Sequence, residues 1–259
     1  MTSDSDSAPS AKADAANEWV EIIKTVVYAL LIALVLRVFL FQPFTIPSAS
    51  MEPNLFQGDY IIVSKFSYGY SRHSTPISLP PAFSGRLFGR EPTRGDVIVF
   101  KLPRDDKTDY IKRLIGLPGD RIQVKAGLVY INDKPVIRKP MPAGVEDTGG
   151  GVLRPVQRFQ ETLPNGVSFL TNSYGPDGEV DNTPVYVVPE GHYFMMGDNR
   201  DNSLDSRFPE EIGVGFVPAE NLEGRAQIVL LSWTPGASLF KPWTWLLNLR
   251  PSRFGHMLR

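Results

Sequence analysis

An apolar run near the N-terminus constrains this chain more than any other feature of its sequence. It extends without a break from Thr25 to Leu36, and Val38–Phe41 continue it beyond a single Arg37. A bilayer span needs about 20 apolar residues, whereas runs of about 10–14 are typical of buried core helices and signal-peptide h-regions. These two alternatives therefore stand beside a membrane anchor.

Features at both ends of the run favour an uncleaved transmembrane helix at residues 19–42. Lys24 and Arg37 lie near its two ends, where long cationic side chains can reach the membrane interface. No small-residue cleavage site follows, and Pro43 is expected to close the helix. Charge does not encode the orientation, because Lys12 and Lys24 on one side are offset by nearby acids and Arg37 stands on the other side.

The rest of the chain divides into a polar tail and a β-rich domain. Residues 1–18 are rich in Ser, Ala and Asp, a composition that predicts a disordered tail. Residues 43–259 contain short β-branched or aromatic runs bounded by Gly, Pro, Asn and Asp, so a mainly β fold is expected. The predicted strands are Asp59–Tyr68, Asp96–Leu102, Tyr110–Gly116, Arg121–Val124, Leu128–Ile131, Val185–Val188, His192–Met196 and Arg225–Trp233.

Three segments of the β-rich domain have a different composition. Ser71–Arg94 and Arg138–Pro184 are rich in Pro, Gly and polar residues, which is typical of long surface loops or an inserted subdomain. We predict a smaller inserted β-subdomain at residues 121–189. The C-terminal Phe240–Arg259 has two Trp, several Leu and four basic residues without an acid, so it forms either a membrane-interface segment or a packed terminal helix.

Composition excludes several classes of function. Lys and Arg total 27 against 28 for Asp and Glu, so no broad basic surface is expected and no nucleic-acid partner is predicted. Cysteine is absent, which removes thiolate metal sites and a Cys nucleophile. The three histidines have no metal-ligand spacing. We therefore predict no metal and no cofactor.

Three short segments carry candidate chemistry: Ile46–Leu55 (IPSASMEPNL), Asp109–Asp120 (DYIKRLIGLPGD) and Gly197–Arg207 (GDNRDNSLDSR). Taken singly, each suits an ordinary turn, strand or solvated loop. The acids of the third also suggest calcium, but its spacing fails the EF-hand pattern because Arg200 occupies a ligand position.

In combination and in this order, with RGDVIVFK at Arg94–Lys101 between the first two, the segments resemble the bacterial type I signal peptidases. The resemblance runs from the apolar run to Gly215–Ala226, and the long form of the third segment favours the bacterial branch over the mitochondrial one. It implies a membrane-anchored, β-rich serine endopeptidase that removes signal peptides from exported precursors.

The resemblance also implies roles for individual residues. Ser50 matches the family's nucleophile and Lys112 its general base, while Ser48 matches the oxyanion donor and Ser203 the hydroxyl that orients the lysine. Four further residues match structural ion-pair positions, with Arg113 the expected partner of Asp198, and Asp205 and Arg207 completing the set. The implied substrate pocket is lined by Phe44, Ile46, Met51, Leu55, Ile61, Val99, Tyr110 and Ile111.

The family's setting supplies the partners and the location. Substrates are expected to be signal peptides with an Ala-x-Ala pattern, and membrane lipid is expected to surround the anchor. The resemblance places the tail in the cytoplasm and the catalytic domain on the outer, periplasmic face of the bacterial inner membrane. Glu52 and Asn54 depart from the family's pattern, and both departures are expected to affect the pocket rim rather than catalysis.

Elementary physical chemistry explains how Ser50 and Lys112 could act together. A lysine at its ordinary pKa of about 10.4 is neutral in only about one molecule in 2,500 at pH 7, and a charged amine cannot accept a proton from serine. Burial lowers the pKa, and Ile111, Leu114 and Ile115 adjoin Lys112 in sequence.

Two competing hypotheses remain. A self-cleaving repressor-type domain uses the same pair, but it is normally soluble and carries a DNA-binding module for which no helix-turn-helix is found. A catalytically silent membrane-anchored interaction protein is disfavoured by the intact Ser50 and Lys112.

Overall fold

A computed structural model describes residues 11–74, 85–147, 152–234 and 243–258, with no side-chain description for residues 11–17. Its first element is helix α1, Ala11–Phe39. The stretch Glu18–Phe39 is the one helix in these ranges that is long and apolar enough to cross a membrane, and none of it is buried. The helix overlaps the predicted tail from Ala11 onward, and residues 1–10 of that tail lie outside the described ranges.

The body of the chain is an antiparallel sheet that gives the mainly β fold predicted from the sequence. Its strands, numbered in chain order, are β1 (Phe41–Thr45), β2 (Asp59–Ser64), β3 (Val97–Lys101), β4 (Asp109–Gly116), β12 (His192–Met196), β13 (Val217–Pro218), β14 (Leu222–Ser232) and β15 (His256–Met257). They follow the order β1-β2-β14-β3-β4-β12-β13 in the sheet, and β15 pairs with β14.

Strand β1 follows the membrane helix after one residue. It contains Pro43, which the sequence predicts to close the helix, but α1 already ends at Phe39. Proline lacks a backbone N–H and is tolerated in strands at a sheet edge, which is the place of β1. The apolar helix α1 therefore leads directly into the main sheet.

Two smaller sheets lie between β4 and β12 in the chain, within the region predicted as an insertion. Their strands are β5 (Arg121–Lys125), β6 (Leu128–Ile131), β7 (Lys134–Pro135), β8 (Ile137–Asp147), β9 (Leu153–Thr162), β10 (Ser168–Ser173) and β11 (Tyr186–Val187). One sheet has the order β11-β5-β6-β7 and the other β10-β9-β8.

The buried hydrophobic side chains form three clusters, and successive residues of a central strand such as β3 point into different ones. The first packs Met51 and Leu55, just after Ser50, against strands β2, β3 and β14. Another joins the insertion to the main sheet through Ile115 and Phe194. A Leu or Met buried fully in this way contributes about 1.5–3 kcal/mol to folding, so the core clamps the segment that carries Ser50.

The C-terminal segment contains the short helix α2, Trp243–Asn248, followed by β15. Trp243, Leu246 and Leu247 are exposed, whereas Leu258 is buried in the core cluster of Met51 and Leu55. The segment thus combines a packed end with a short helix whose apolar side chains are exposed.

Candidate active site

Ser50 lies in a tight loop between β1 and β2, residues 48–55, which we call the nucleophile loop after the role predicted for Ser50. Turn hydrogen bonds shape it, with Glu52 N–H donating to Ala49 O at 3.0 Å and Leu55 N–H donating to Met51 O at 2.9 Å. The side chains of Met51 and Leu55 are fully buried beneath it. The Ser50 side chain is thereby held at the surface of a packed core.

Lys112 projects from the middle of β4, where it stands opposite Ile98 of β3. Its Nζ donates to Ser50 Oγ at 2.7 Å and to Ile111 O at 3.0 Å. Only 4% of Lys112 is exposed. The structure therefore brings together two residues 62 positions apart in a contact short enough for proton transfer.

Burial changes the acidity of this amine. Desolvation lowers the pKa of Lys112 to about 8, against the opposing influence of the carboxylates of Asp205 and Asp198, and the cation of Arg207 lowers it further. At pH 7 about one lysine in ten is then neutral. A neutral amine is able to accept the proton of Ser50.

The two other predicted catalytic hydroxyls lie beside the pair. Ser48 Oγ is 3.3 Å from Ser50 Oγ. Ser203 lines the same cleft as Lys112, but its buried hydroxyl has no hydrogen-bond partner in the described part of the chain. The contact between Ser203 and Lys112 that the resemblance implies is therefore not made in this structure.

Two buried ion pairs support the strands and loops around the site. Arg113 binds Asp198 through two hydrogen bonds of 2.8 Å, and it also donates to Gly95 O at 2.7 Å. Arg207 binds Asp205 at 2.8 and 2.9 Å. Burial alone would raise the pKa of Asp205, but Arg207 outweighs it and holds that pKa below its ordinary value.

Arginines also pair with the two most deeply buried acids of the third segment. Each of the two fully buried carboxylates, Asp198 and Asp205, is occupied by a guanidinium. Among the residues that the structure describes, no group of three His, Asp or Glu side chains could hold a metal ion. The charge of this segment is used to fix its own fold.

An open cleft of about 520 Å³ runs beside Ser50 and Lys112. Of the predicted pocket residues, Tyr110 and Ile111 line it. The other six do not line it and belong to the first core cluster, with Phe44 packed on its edge: Phe44, Ile46, Met51, Leu55, Ile61 and Val99.

Three residues for which the sequence predicts no catalytic role contact the site closely. Asn199 N–H donates to Ser50 O at 3.1 Å, and its side chain donates to Ala49 O at 3.1 Å. Gly197 lies against Ser50 and Ser203. The amide of Asn54 donates to Asp198 at 2.7 Å, so this departure from the family's pattern reaches an ion pair rather than only the pocket rim.

Comparison with known proteins decides the family of this site. A model of the family described as "Signal peptidase, peptidase S26" matches residues 19–233. The chain belongs to this signal peptidase family. It is accordingly a serine peptidase, and the apolar helix α1 fits its membrane anchor.

Relatives named Signal peptidase I share much of the sequence. The protein of Rickettsia typhi is 44% identical over 212 residues, covering 79% of this chain and 77% of the relative. That of Rickettsia canadensis is 42% identical over 224 residues, covering 84% and 80%. A crystal structure of a signal peptidase I from Enterococcus faecalis V583 matches with 28% identity and a TM-score of 0.30, covering 52% of this chain and 97% of that one.

The family match includes all residues implied to act in catalysis, because Ser48, Ser50, Lys112 and Ser203 fall within residues 19–233. It ends before α2 and β15, although β15 completes the main sheet. The family's substrates are signal peptides of exported precursors, so the cleft beside Ser50 is the candidate site for their cleavage.

Proposed function

We propose that this signal peptidase cleaves precursors by a Ser50–Lys112 dyad, after small residues in an Ala-x-Ala pattern. The observation that carries the proposal is the 2.7 Å contact between Lys112 Nζ and Ser50 Oγ in a buried setting. Few functions other than proton transfer make use of a buried amine with a pKa of about 8 beside a serine hydroxyl.

The proposed reaction begins with neutral Lys112 accepting the Ser50 proton while Ser50 Oγ attacks the scissile carbonyl carbon. The resulting oxyanion is stabilised by the Ser48 hydroxyl and the Ser50 N–H, each contributing about 3 kcal/mol by analogy with other hydrolases. The Lys112 ammonium then protonates the leaving amine, and the mature chain departs. Neutral Lys112 finally deprotonates a water that attacks the acyl carbon, and its ammonium returns the proton to Ser50 Oγ as the signal peptide leaves with a new C-terminal carboxyl group.

Contacts between α1 and the catalytic domain support cleavage at the membrane surface. The Tyr70 hydroxyl donates to Phe39 O at 2.6 Å, and Lys65 N–H donates to Leu40 O at 3.0 Å. Ser50 follows the helix by about eleven residues, each spanning at most about 3.5 Å. Lipid around α1 would therefore hold Ser50 close to the place where a membrane-held precursor leaves the bilayer.

We further propose that α1 crosses the bacterial inner membrane once and that the catalytic domain lies on the periplasmic face. The support is the family's setting together with the exposed apolar surface of α1. Protease treatment of spheroplasts tests the orientation. Digestion of the catalytic domain in intact spheroplasts is expected, and its protection until lysis would reverse the assignment.

Cleavage of a purified secretory precursor by the detergent-solubilised full chain tests the activity. Wild type is expected to cut after Ala-x-Ala, and both Ser50→Ala and Lys112→Ala are expected to lose cleavage while remaining folded. The exposed Ser168→Ala and Lys139→Ala serve as matched controls and are expected to behave as wild type.

Specificity is tested with a precursor whose final alanine before the cut is replaced by phenylalanine, which is expected to block cleavage. Full activity of Lys112→Ala would rule out the proposed general base. An inert wild type across several precursors would rule out the function itself.

A further inference from the structure

Ser50 and Lys112 belong to different parts of the fold, so their contact depends on how the nucleophile loop is held against β4. The segment from Gly197 to Arg200 contacts both the nucleophile loop and β4. Asp198 in this segment is bound by Arg113, the residue next to Lys112, through two buried hydrogen bonds. The segment is thus fixed to β4 immediately beside the lysine.

The nucleophile loop attaches to the same segment at two places, one near each end of the loop. The first is at the nucleophile, where Asn199 donates through its N–H to Ser50 O and through its side chain to Ala49 O, both at 3.1 Å. The second is four residues later, where Asn54 Nδ2 donates to Asp198 Oδ2 at 2.7 Å. Two attachments fix a loop's orientation, whereas one would leave it free to pivot.

Asn54 makes a further contact that ties the loop to the insertion. Its Nδ2 also donates to Leu170 O of β10 at 2.7 Å. Both hydrogens of the amide are therefore used, one on a buried carboxylate and one on a backbone carbonyl. A shorter side chain cannot reproduce this bridge.

The backbone of Asn54 is held from the opposite side by the C-terminal segment. Arg253 Nη2 donates to Asn54 O at 2.8 Å, and it also lies 2.6 Å from the buried Asp59 carboxylate. Arg253 lies beyond the 19–233 match with the family. The position of Asn54 is thus determined by contacts on three sides.

We propose that Asn54 is a positioning residue for the catalytic pair, aligning Ser50 with Lys112 by anchoring the nucleophile loop to Asp198. This inference rests on the proposed function for its kinetic test, and it extends that function to a residue outside the dyad. A displacement of about 1 Å at a reacting atom lowers catalysis by up to about 100-fold. Loss of the anchor should therefore reduce kcat rather than substrate binding.

The test compares Asn54→Ala and Asn54→Thr with a matched control, Asn221→Ala. Asn221 makes the same kind of bridge elsewhere, donating to Asp106 Oδ1 at 2.9 Å and to Lys101 O at 3.1 Å. In precursor cleavage by the full chain, Asn54→Ala is expected to lower kcat by about 10- to 100-fold with KM changed less than about threefold. Asn54→Thr keeps one donor and is expected to recover part of kcat, while Asn221→Ala retains it.

Crystal structures of the same variants without substrate give a readout that needs no cleavage. The distance from Ser50 Oγ to Lys112 Nζ is expected to exceed about 3.5 Å in Asn54→Ala and to stay within hydrogen-bond range in Asn221→Ala. An inert wild type would overturn the proposed function, while these distances would still decide the role of Asn54. The inference is overturned if Asn54→Ala keeps the dyad distance, or if Asn221→Ala loses as much kcat as Asn54→Ala.

Discussion

Gly197 lies directly against the carbonyl oxygen of Ser50. A Cβ at this glycine would come within 2.6 Å of that oxygen and within 2.2 Å of Ser203 Oγ. Separations below about 3 Å are not tolerated by real Cβ atoms. The third sequence segment must therefore begin with glycine so that it can pack against the nucleophile and bring Ser203 into the cleft.

Gly197→Ala is therefore expected to push Ser50 and Ser203 apart. We expect overpacking to lower the free energy of unfolding by about 1–3 kcal/mol. The rate of cleavage should fall by more than the lowered stability accounts for, because Ser50 is displaced from Lys112. Precursor cleavage and urea unfolding measure the two effects. Gly89→Ala is the control, since a Cβ there meets no atom closer than 3.6 Å, and equal activity of the two variants would contradict the expectation.

The depressed pKa of Lys112 predicts how cleavage depends on pH. The base must be neutral, and its pKa is lowered to about 8 by burial. The value of kcat/KM is therefore expected to rise tenfold per pH unit well below pH 8 and to level off above about pH 9. A profile of kcat/KM from pH 6 to 9.5 checks this, and a flat profile between pH 6.5 and 9 would exclude Lys112 as the base.

The sequence predicted the main sheet well but not the longest strands of the insertion. Strands such as β3 and β4 are predictable because they are rich in β-branched residues, whereas β8 contains Pro140, Pro142 and Gly144. Proline disfavours a central strand, yet β8 lies at the edge of its sheet. Only the pairing of β8 with β9, which a single sequence does not display, resolves the choice between loop and strand.

In the candidate site, too, features carried by local sequence patterns were predictable and those that depend on tertiary contacts were not. The pair of Ser50 and Lys112 was predictable because short motifs carry it. The bridge from Asn54 to Asp198 spans 144 positions and gives no local signal. Likewise, the resemblance implied a pocket position for Met51, whereas the structure buries its side chain in the core, because local sequence does not distinguish a core position from the wall of an open cleft.

Ser203 provides a test that separates catalysis from stability. Its hydroxyl is buried without a hydrogen-bond partner in the described part of the chain, and removing such a group is nearly neutral or stabilising. If the hydroxyl orients Lys112 when substrate is bound, Ser203→Ala should lower kcat about 10-fold or more while the melting temperature stays the same or rises. Unchanged kcat would remove Ser203 from the catalytic group, and Ser168→Ala is the exposed control.

The ion pair of Arg113 and Asp198 predicts a large loss of stability when either partner is removed alone. Both side chains are about 1% exposed, so Asp198→Asn leaves a buried guanidinium without its counter-charge. The expected cost is about 3–5 kcal/mol in the free energy of unfolding. Denaturant unfolding measures it, with the exposed pair of Arg121 and Asp133 as the control. Asp133→Asn should change stability by less than about 1 kcal/mol, and a similarly small effect at Asp198 would refute the structural role.

We expect the buried amine of Lys112 to be required for cleavage and at the same time to lower the free energy of unfolding. Its pKa is about 8 in the folded chain and 10.5 in the reference state. This lowering of the pKa corresponds to about 3 kcal/mol of destabilisation below pH 8, where the amine is charged in both states. Between pH 8 and 10.5 the unfolded chain binds more protons, so stability rises with pH across this window.

Lys112→Met replaces the buried ammonium with an apolar chain of similar length. The variant should lose cleavage, yet its free energy of unfolding at pH 7 should rise by about 1–3 kcal/mol, less than the full desolvation cost because two hydrogen bonds to Ser50 and Ile111 are lost. The gain should shrink as the pH approaches 10.5, since the wild-type amine is then neutral in the folded state. Urea unfolding of the detergent-solubilised chain at pH 7 and pH 10 measures both values, with the exposed Lys139→Met as control. A variant less stable than wild type at both pH values would show that the amine's hydrogen bonds outweigh the cost of burying its charge.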